Sequence, residues 1–126
     1  MGFSPNEPVP DLVARAAIRA KIRGDLAREA AEAEVRRAEI VPRVRATIAE
    51  QRSRGRCARA WLFGSYAGGP WGEPGEESDV DLLVEGDADG VGAAVLRETG
   101  RMVHGWRLDE APPSLVARVL AEGVPL

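Results

Sequence analysis

Two short apolar runs, separated by a segment that regular secondary structure rarely crosses, constrain the fold of this chain most. Residues 58–63 and 80–84 have the length and the apolar character of buried strands. The segment between them, residues 64–78, contains five glycines and two prolines. We therefore predict a loop without regular elements there. A loop of this length exceeds what a hairpin needs, and such loops are often functional.

Helices are predicted on both sides of these strands. Residues 11–37 are rich in Ala, Arg and Glu, which favour a helix, and residues 1–10 read as a flexible lead-in. Pro42 indicates a break, so a second helix is predicted over residues 40–53. The sequence further predicts a helix over 91–99 capped by Asp87 or Asp89, a strand over 102–108, a helix that opens at Pro112 and Pro113, and a short strand over 124–126.

The composition is that of a globular protein. The chain has 126 residues, of which 44% are hydrophobic and 29% charged, and this favours a single folded domain. The net charge is −3, so direct binding of nucleic acid is not indicated. Arginines crowd the first half of the chain. Because they alternate with glutamates, they favour solvated helix faces, and the alternative is a basic surface that meets an acidic partner.

We expect a cytoplasmic protein. Cys57 is the single cysteine, which excludes an internal disulfide and fits a reducing compartment. Residues 1–10 lack the apolar core of a signal peptide. No apolar run approaches the roughly 20 residues that a membrane-spanning helix needs, so we expect no membrane association.

Two aspartates at the start of the second strand indicate a metal site. Residues at positions i and i+2 of a strand point to the same face, so Asp79 and Asp81 project together. Two close carboxylates repel each other unless a cation lies between them. Hard divalent ions such as Mg²⁺ prefer oxygen ligands and complete their shell with water and phosphates. On its own, Asp-x-Asp is common and weak as a signal.

Gly64 and Ser65 follow directly after the first strand and add a second half to this site. A glycine there lets the backbone approach a phosphate, whose oxygens the backbone N–H groups and the Ser65 hydroxyl would hold. A phosphate-binding turn facing a carboxylate pair is the arrangement that nucleotidyl transfer requires.

These residues resemble the minimal nucleotidyltransferase (MNT) family of the DNA polymerase β superfamily. The family signature reads here as Phe63-Gly64-Ser65, a spacer of thirteen residues, and then Asp79-Val80-Asp81-Leu82. The resemblance covers roughly residues 40–126. We therefore expect a nucleotidyltransferase domain over 39–126 and an N-terminal helical extension over 1–38.

The resemblance implies a two-layer α/β fold with a small mixed sheet, and ATP or another nucleoside triphosphate bound with Mg²⁺ or Mn²⁺. Gly64 and Ser65 would bind phosphate, and Asp79 and Asp81 would bind the metal. Many members with a single domain are antitoxins that pair with a HEPN-family RNase toxin. Such members can transfer AMP to the toxin, typically onto a tyrosine hydroxyl.

The chain departs from the family pattern at two positions. Gly68 stands where members usually carry an arginine, which is a phosphate contact. His104 stands where active members carry a third acidic residue. A histidine can act as a general base but is a poorer ligand for Mg²⁺ than for softer metals. Asp109 is an alternative third carboxylate, although its register places it beyond the strand.

Three functions compete at this point. The first is an active enzyme that adenylylates a partner protein, with Asp79, Asp81 and His104 as its catalytic residues. The second is a degenerate relative that neutralises its partner by binding alone. The third is a small-molecule nucleotidyltransferase, but such enzymes normally need a second domain. The helical extension, with its thin stripe of Ile18, Ile22 and Leu26, favours a protein partner or a homo-oligomer.

Overall fold

The computed structural model describes residues 10–126. In this part of the chain the elements are α1 (Pro10–Ser53), β1 (Cys57–Phe63), two 3₁₀ turns (Ser65–Ala67 and Gly69–Trp71), β2 (Val80–Gly86), α2 (Ala88–Thr99), β3 (Val103–Arg107), α3 (Pro113–Glu122) and β4 (Val124–Pro125). The predicted flexible lead-in lies, apart from Pro10, outside the described residues.

The four strands form one mixed sheet in the order β3-β2-β1-β4. β1 pairs antiparallel with both β2 and β4, whereas β2 pairs parallel with β3. The parallel pair is joined through α2, as a crossover between parallel strands requires. The predicted α/β fold with a small mixed sheet is confirmed.

The two faces of the sheet are covered by different helices. Alternate side chains of β1 and β2, such as Leu62 and Leu82, are fully buried in one cluster with apolar residues of α1 and α2. The side chains between them, such as Phe63 and Leu83, pack with Val119 of α3. α3 therefore covers part of the second face, and this is the face to which Asp81 points.

The prediction of two separate N-terminal helices was wrong, because α1 is continuous and Pro42 lies inside it. An interior proline costs a helix about 3 kcal/mol. Ile40, Val44 and Ile48 are each at most 2% exposed in the core below α1. Burying each of these side chains contributes about 1.5–3 kcal/mol, so packing outweighs the cost of the proline.

The prediction for residues 64–78 was only partly right, since two 3₁₀ turns interrupt the loop. Gly64 and Gly68 have φ angles of 73° and 72° and allow the tight changes of direction on either side of the first turn. Tyr66 and Pro74 within this segment are fully buried. Packing therefore orders a segment that its composition alone predicted to be irregular.

The helix α2 ends at Thr99 as its sequence predicts, but it begins at Ala88, three residues before the predicted start. Asp87 is its N-cap and accepts a hydrogen bond from the Gly90 amide at 3.0 Å, and Gly100 ends it with φ 70°. This cap lies directly after β2 and fixes the turn that leads from the central strand into the crossover.

The chain divides into two compact units, of which the first ends at Glu32 and the second is Ala33–Leu126. This division falls earlier than the domain limit predicted at residues 38–39, which stays a prediction. In the first unit, the side chains from Asp11 to Gly24 are all exposed. None of the helices in residues 10–126 combines the length and the apolar character needed to cross a membrane.

Candidate active site

The two aspartates lie at the start of the central strand β2. Asp79 immediately precedes the strand and Asp81 is its second residue. Val80 and Leu82 point to the opposite face and are fully buried, which fixes the direction of both carboxylates. The Asp79 and Asp81 side chains are 37% and 24% exposed, so both remain accessible to a ligand from solvent.

Gly64 lies against the carboxylate of Asp81. The antiparallel register pairs Phe63 with Asp81, which brings the next residue of the chain over that side chain. A Cβ added at Gly64 would overlap with Asp81 Oδ2, so a larger residue would displace the carboxylate. Its φ of 73° also favours glycine. The predicted phosphate-binding turn and the predicted metal ligands are therefore adjacent.

Ser65 is half-buried and begins the first 3₁₀ turn. Its carbonyl accepts a hydrogen bond from the Gly68 amide at 3.2 Å, and the Gly64 carbonyl accepts one from the Ala67 amide at 3.0 Å. The turn is thus closed by its own backbone, with the Ser65 side chain at its start beside Gly64.

His104 lies on the neighbouring strand β3 and faces both aspartates. The parallel register pairs it with Asp81. Its Nε2 lies 3.2 Å from Asp79 Oδ2, and its Nδ1 lies 3.5 Å from Asp81 Oδ1. The imidazole is 62% exposed and spans the two carboxylates. The structure therefore brings together Gly64, Asp79, Asp81 and His104, whose roles remain predictions.

The electrostatics of the pair are set by burial and by the neighbouring charges. Burial raises the pKa of the Asp81 carboxyl above its usual value, and the charge of Asp79 raises it further. His104 acts in the opposite direction and lowers this pKa. A cation near the two carboxylates would stabilise their charged forms in the same way as His104.

Asp79 and Asp81 fit a divalent cation by their chemistry, because both offer carboxylate oxygens at one accessible point. Within residues 10–126, no group of three or more His, Cys, Asp or Glu side chains forms a complete metal-binding cluster. A cation here would therefore take the rest of its shell from water and from a phosphate ligand.

Asp109, the alternative third carboxylate, lies away from this point. It follows the end of β3, five positions beyond His104, and its Oδ2 accepts a hydrogen bond from Arg107 at 2.9 Å. Arg107 pairs in register with Val84, at the opposite end of β2 from Asp79. Asp109 therefore does not complete the acidic pair.

The loop between β1 and β2 is held from two helices. The guanidinium of Arg36 donates to the Pro74 carbonyl at 3.1 Å, and that of Arg37 donates to the Gly72 carbonyl at 3.0 Å. On the other side, Trp71 Nε1 donates to the Glu122 carbonyl of α3 at 3.0 Å. These contacts hold the loop that carries Gly64 and Ser65 in one arrangement.

Sequence reasoning missed Arg37, which it placed in the helical extension. A Cβ added at Gly68 would lie 3.2 Å from both Cζ and Nε of Arg37, so the guanidinium occupies the space beside this glycine. The Arg37 Nε is buried and has no hydrogen-bond partner among the described residues. A guanidinium thus lies beside the position where an arginine was expected. The only signal in the sequence was its position within an arginine-rich helix.

Trp106 is a second residue that the sequence did not single out. It lies two positions after His104 on β3 and points to the same face of the sheet. Its side chain is 41% exposed, although a tryptophan is usually well buried. The site therefore has an exposed aromatic surface about 7 Å along the strand from the imidazole.

The sequence of the chain is similar to that of a known domain family. The family model of the nucleotidyltransferase domain matches residues 44–113, which is more than half of the chain and contains Gly64, Asp79, Asp81 and His104. No curated protein and no solved structure matches the chain.

Proposed function

Since the chain belongs to the nucleotidyltransferase domain family, we propose that it binds ATP with a divalent cation and transfers AMP to a hydroxyl group of a partner protein. The observation that carries this proposal is the contact between Gly64 and Asp81, with Asp79 and His104 around it. It places a turn suited to phosphate beside a carboxylate pair suited to a cation.

Each residue has one role in the proposed reaction. Gly64 and Ser65 hold the phosphates of ATP against the sheet, and Asp79 and Asp81 bind the cation. When bound by these carboxylates, a cation such as Mg²⁺ or Mn²⁺ would neutralise charge on the phosphates. Arg37 holds the loop in place through the Gly72 carbonyl.

The proposed transfer is a single displacement at the α-phosphorus of ATP. The oxygen of the acceptor hydroxyl forms a bond to that phosphorus while the bond to the bridging oxygen breaks. Pyrophosphate leaves with the electron pair, and the hydroxyl proton passes to His104. An exposed imidazole between two carboxylates is well placed to take this proton.

The acceptor in this proposal is a protein, with the chain acting as the antitoxin of a HEPN-family toxin in the cytoplasm. The site supports a large acceptor because it opens to solvent along the edge strand β3, where four of five residues are exposed. The resemblance to antitoxins of this family supports the choice of partner, and the buried free thiol of Cys57 supports a reducing compartment.

A second candidate is a binding-only protein that has lost catalysis. The observation that favours it is the position of His104, whose two ring nitrogens face the two carboxylates. A protonated imidazole there would substitute for a cation and leave the pair with no need of a metal. In this case the chain would neutralise its partner by contact alone.

Isotope transfer separates the two candidates. The chain is incubated with a purified HEPN-family toxin and with ATP labelled at the α- or the γ-phosphate, in Mg²⁺ or Mn²⁺. We expect the α-label, and not the γ-label, to appear on the toxin. Asp79→Ala/Asp81→Ala should abolish the transfer, whereas Asp109→Ala/Glu110→Ala, with the same change in charge, should retain it.

The outcomes are distinct. Transfer that survives in Asp79→Ala/Asp81→Ala would overturn the site. The binding-only candidate would be established if the wild-type chain formed a stable complex with the toxin without any transfer, and if His104→Asp restored transfer. If no transfer and no complex were detected, this toxin family would be excluded as the partner.

A further inference from the structure

The N-terminal half of α1 presents an apolar stripe. Ile18, Ile22 and Leu26 follow one another at intervals of four residues and so lie along one face of the helix. Their side chains are 57%, 51% and 58% exposed. Three large aliphatic residues at this spacing are the pattern of a helix that packs against another helix.

The charges around this stripe are divided along the helix. Residues 11–23 carry four basic side chains and one acidic side chain, whereas residues 25–32 carry three acidic side chains and one basic one. Arg15 and Glu29 lie two helical turns before and after Ile22, and therefore on the same face as the stripe. The helix thus has a basic and an acidic half, with Ile22 near the point where they meet.

We propose that this face binds the same face of a second copy of the chain in an antiparallel pair of helices, related by a two-fold axis near Ile22. In this arrangement Ile22 of the two copies meet, and Ile18 packs against Leu26 of the second copy. Arg15 then lies opposite Glu29 of the second copy, so the basic half of each helix covers the acidic half of the other.

Charge selects the antiparallel direction. In a parallel pair in register, Arg15 would face Arg15 and Glu29 would face Glu29, and like charges opposite each other are unfavourable. In the antiparallel pair, these repulsive contacts are replaced by an attractive contact between Arg15 and Glu29, which occurs twice because of the symmetry. Charged residues beside an apolar seam commonly determine the orientation of paired helices.

The pairing is tested by sedimentation velocity of the full chain over a wide range of concentrations. We expect a dimer, and Ile22→Asp should convert it to a monomer. Val13 is the matched control, because it lies nine residues from Ile22, on the opposite face of the same helix, and is 62% exposed. Val13→Asp should remain dimeric. Because both residues are exposed, circular dichroism and thermal unfolding should show residues 33–126 folded in both variants.

Charge reversal tests the direction of the pair. Arg15→Glu and Glu29→Arg should each raise the dissociation constant of the dimer by about tenfold or more, and the double variant should restore it. The two positions lie fourteen residues apart in one helix, so a contact within one copy does not explain the restoration. A monomeric wild-type chain, a dimer that survives Ile22→Asp, or a double variant without restoration would each overturn the proposal.

Discussion

On one side of Asp79 and Asp81 lies the loop of residues 64–78, and on the other lies the edge strand β3. The loop has a fully buried Tyr66 and is tied to α1 and α3 by hydrogen bonds. In β3, four of five residues are exposed, and His104 is 62% exposed. The Gly64 side of the site is thus held by packing on the loop, whereas His104 is an exposed side chain on a strand at the edge of the sheet.

This difference bears on position 104, one of the two positions at which the chain departs from the pattern that the resemblance implies. A change at Gly64 disturbs the fold and the site together, because the backbone of the loop touches Asp81. A change at His104 alters the site without removing buried contacts. The acidic residue expected on β3 could therefore be replaced at little cost in stability.

The largest effect is expected at Gly64. Gly64→Ala should lower the free energy of unfolding by about 2–3 kcal/mol, because alanine is strained at this φ and its Cβ would displace the Asp81 carboxylate. Binding of ATP should be lost with it. Chemical denaturation and calorimetry measure the two effects. Gly69→Ala is the control: its φ is 58° but no atom lies within 4 Å of the added Cβ, so about 1 kcal/mol is expected.

Arg37→Ala should have the second largest effect. It removes a charged hydrogen bond to the Gly72 carbonyl and the guanidinium beside Gly68, so we expect a loss of about 1–2 kcal/mol. Arg54→Ala, which removes an exposed ion pair with Glu50, should cost at most about 0.5 kcal/mol. The free energy of unfolding of both variants is measured by chemical denaturation. Equal losses in the two variants would show that Arg37 does not hold the loop.

His104→Asp should have a smaller effect that depends on the metal. Without a cation, a third carboxylate beside Asp79 and Asp81 should cost about 0.5–1 kcal/mol of stability through repulsion. Adding Mg²⁺ should recover this loss and raise the melting temperature of the variant more than that of the wild type. Identical responses to Mg²⁺ in thermal melts would indicate that residue 104 does not face a cation.

Asp81→Asn should have the smallest effect, and it should be stabilising. Burial raises the pKa of this carboxyl in the folded state, so its charged form is disfavoured by folding. The contribution of Asp81 to stability is present below its unfolded pKa and is lost as pH rises through the folded pKa. At neutral pH, Asn should therefore add up to about 0.5 kcal/mol in the absence of a cation. This gain should vanish when unfolding is measured at a pH below both pKa values.

Much of the fold could be predicted because its signals are local. The apolar runs of β1 and β2, the Asp87 cap and the closing Gly100 each depend on residues close in sequence. The continuous α1 was missed because the penalty of Pro42 is local, whereas the burial of Ile40 and Val44 depends on the finished core.

The residues of the candidate site likewise include some that a local pattern identifies and others that depend on the folded structure. The spacing of Asp79 and Asp81 on a strand, next to Gly64 and Ser65, identified these four residues. The contact of Arg37 with Gly68 joins residues that lie thirty-one positions apart, and no local pattern announces it. The exposure of Trp106 likewise follows from the place of β3 at the edge of the sheet, which the order of elements does not determine.

The central claim is that the Gly64 turn and the Asp79–Asp81 pair form one site for a nucleotide with its metal. The most direct test of this claim is calorimetric titration with ATP, in Mn²⁺ and in Mg²⁺. The wild-type chain, Asp79→Ala/Asp81→Ala and the charge-matched control Asp109→Ala/Glu110→Ala are titrated under the same conditions. We predict cation-dependent binding to the wild type and to the control, and none to Asp79→Ala/Asp81→Ala. Binding that is equally strong in Asp79→Ala/Asp81→Ala, or that is independent of the cation, would contradict the claim.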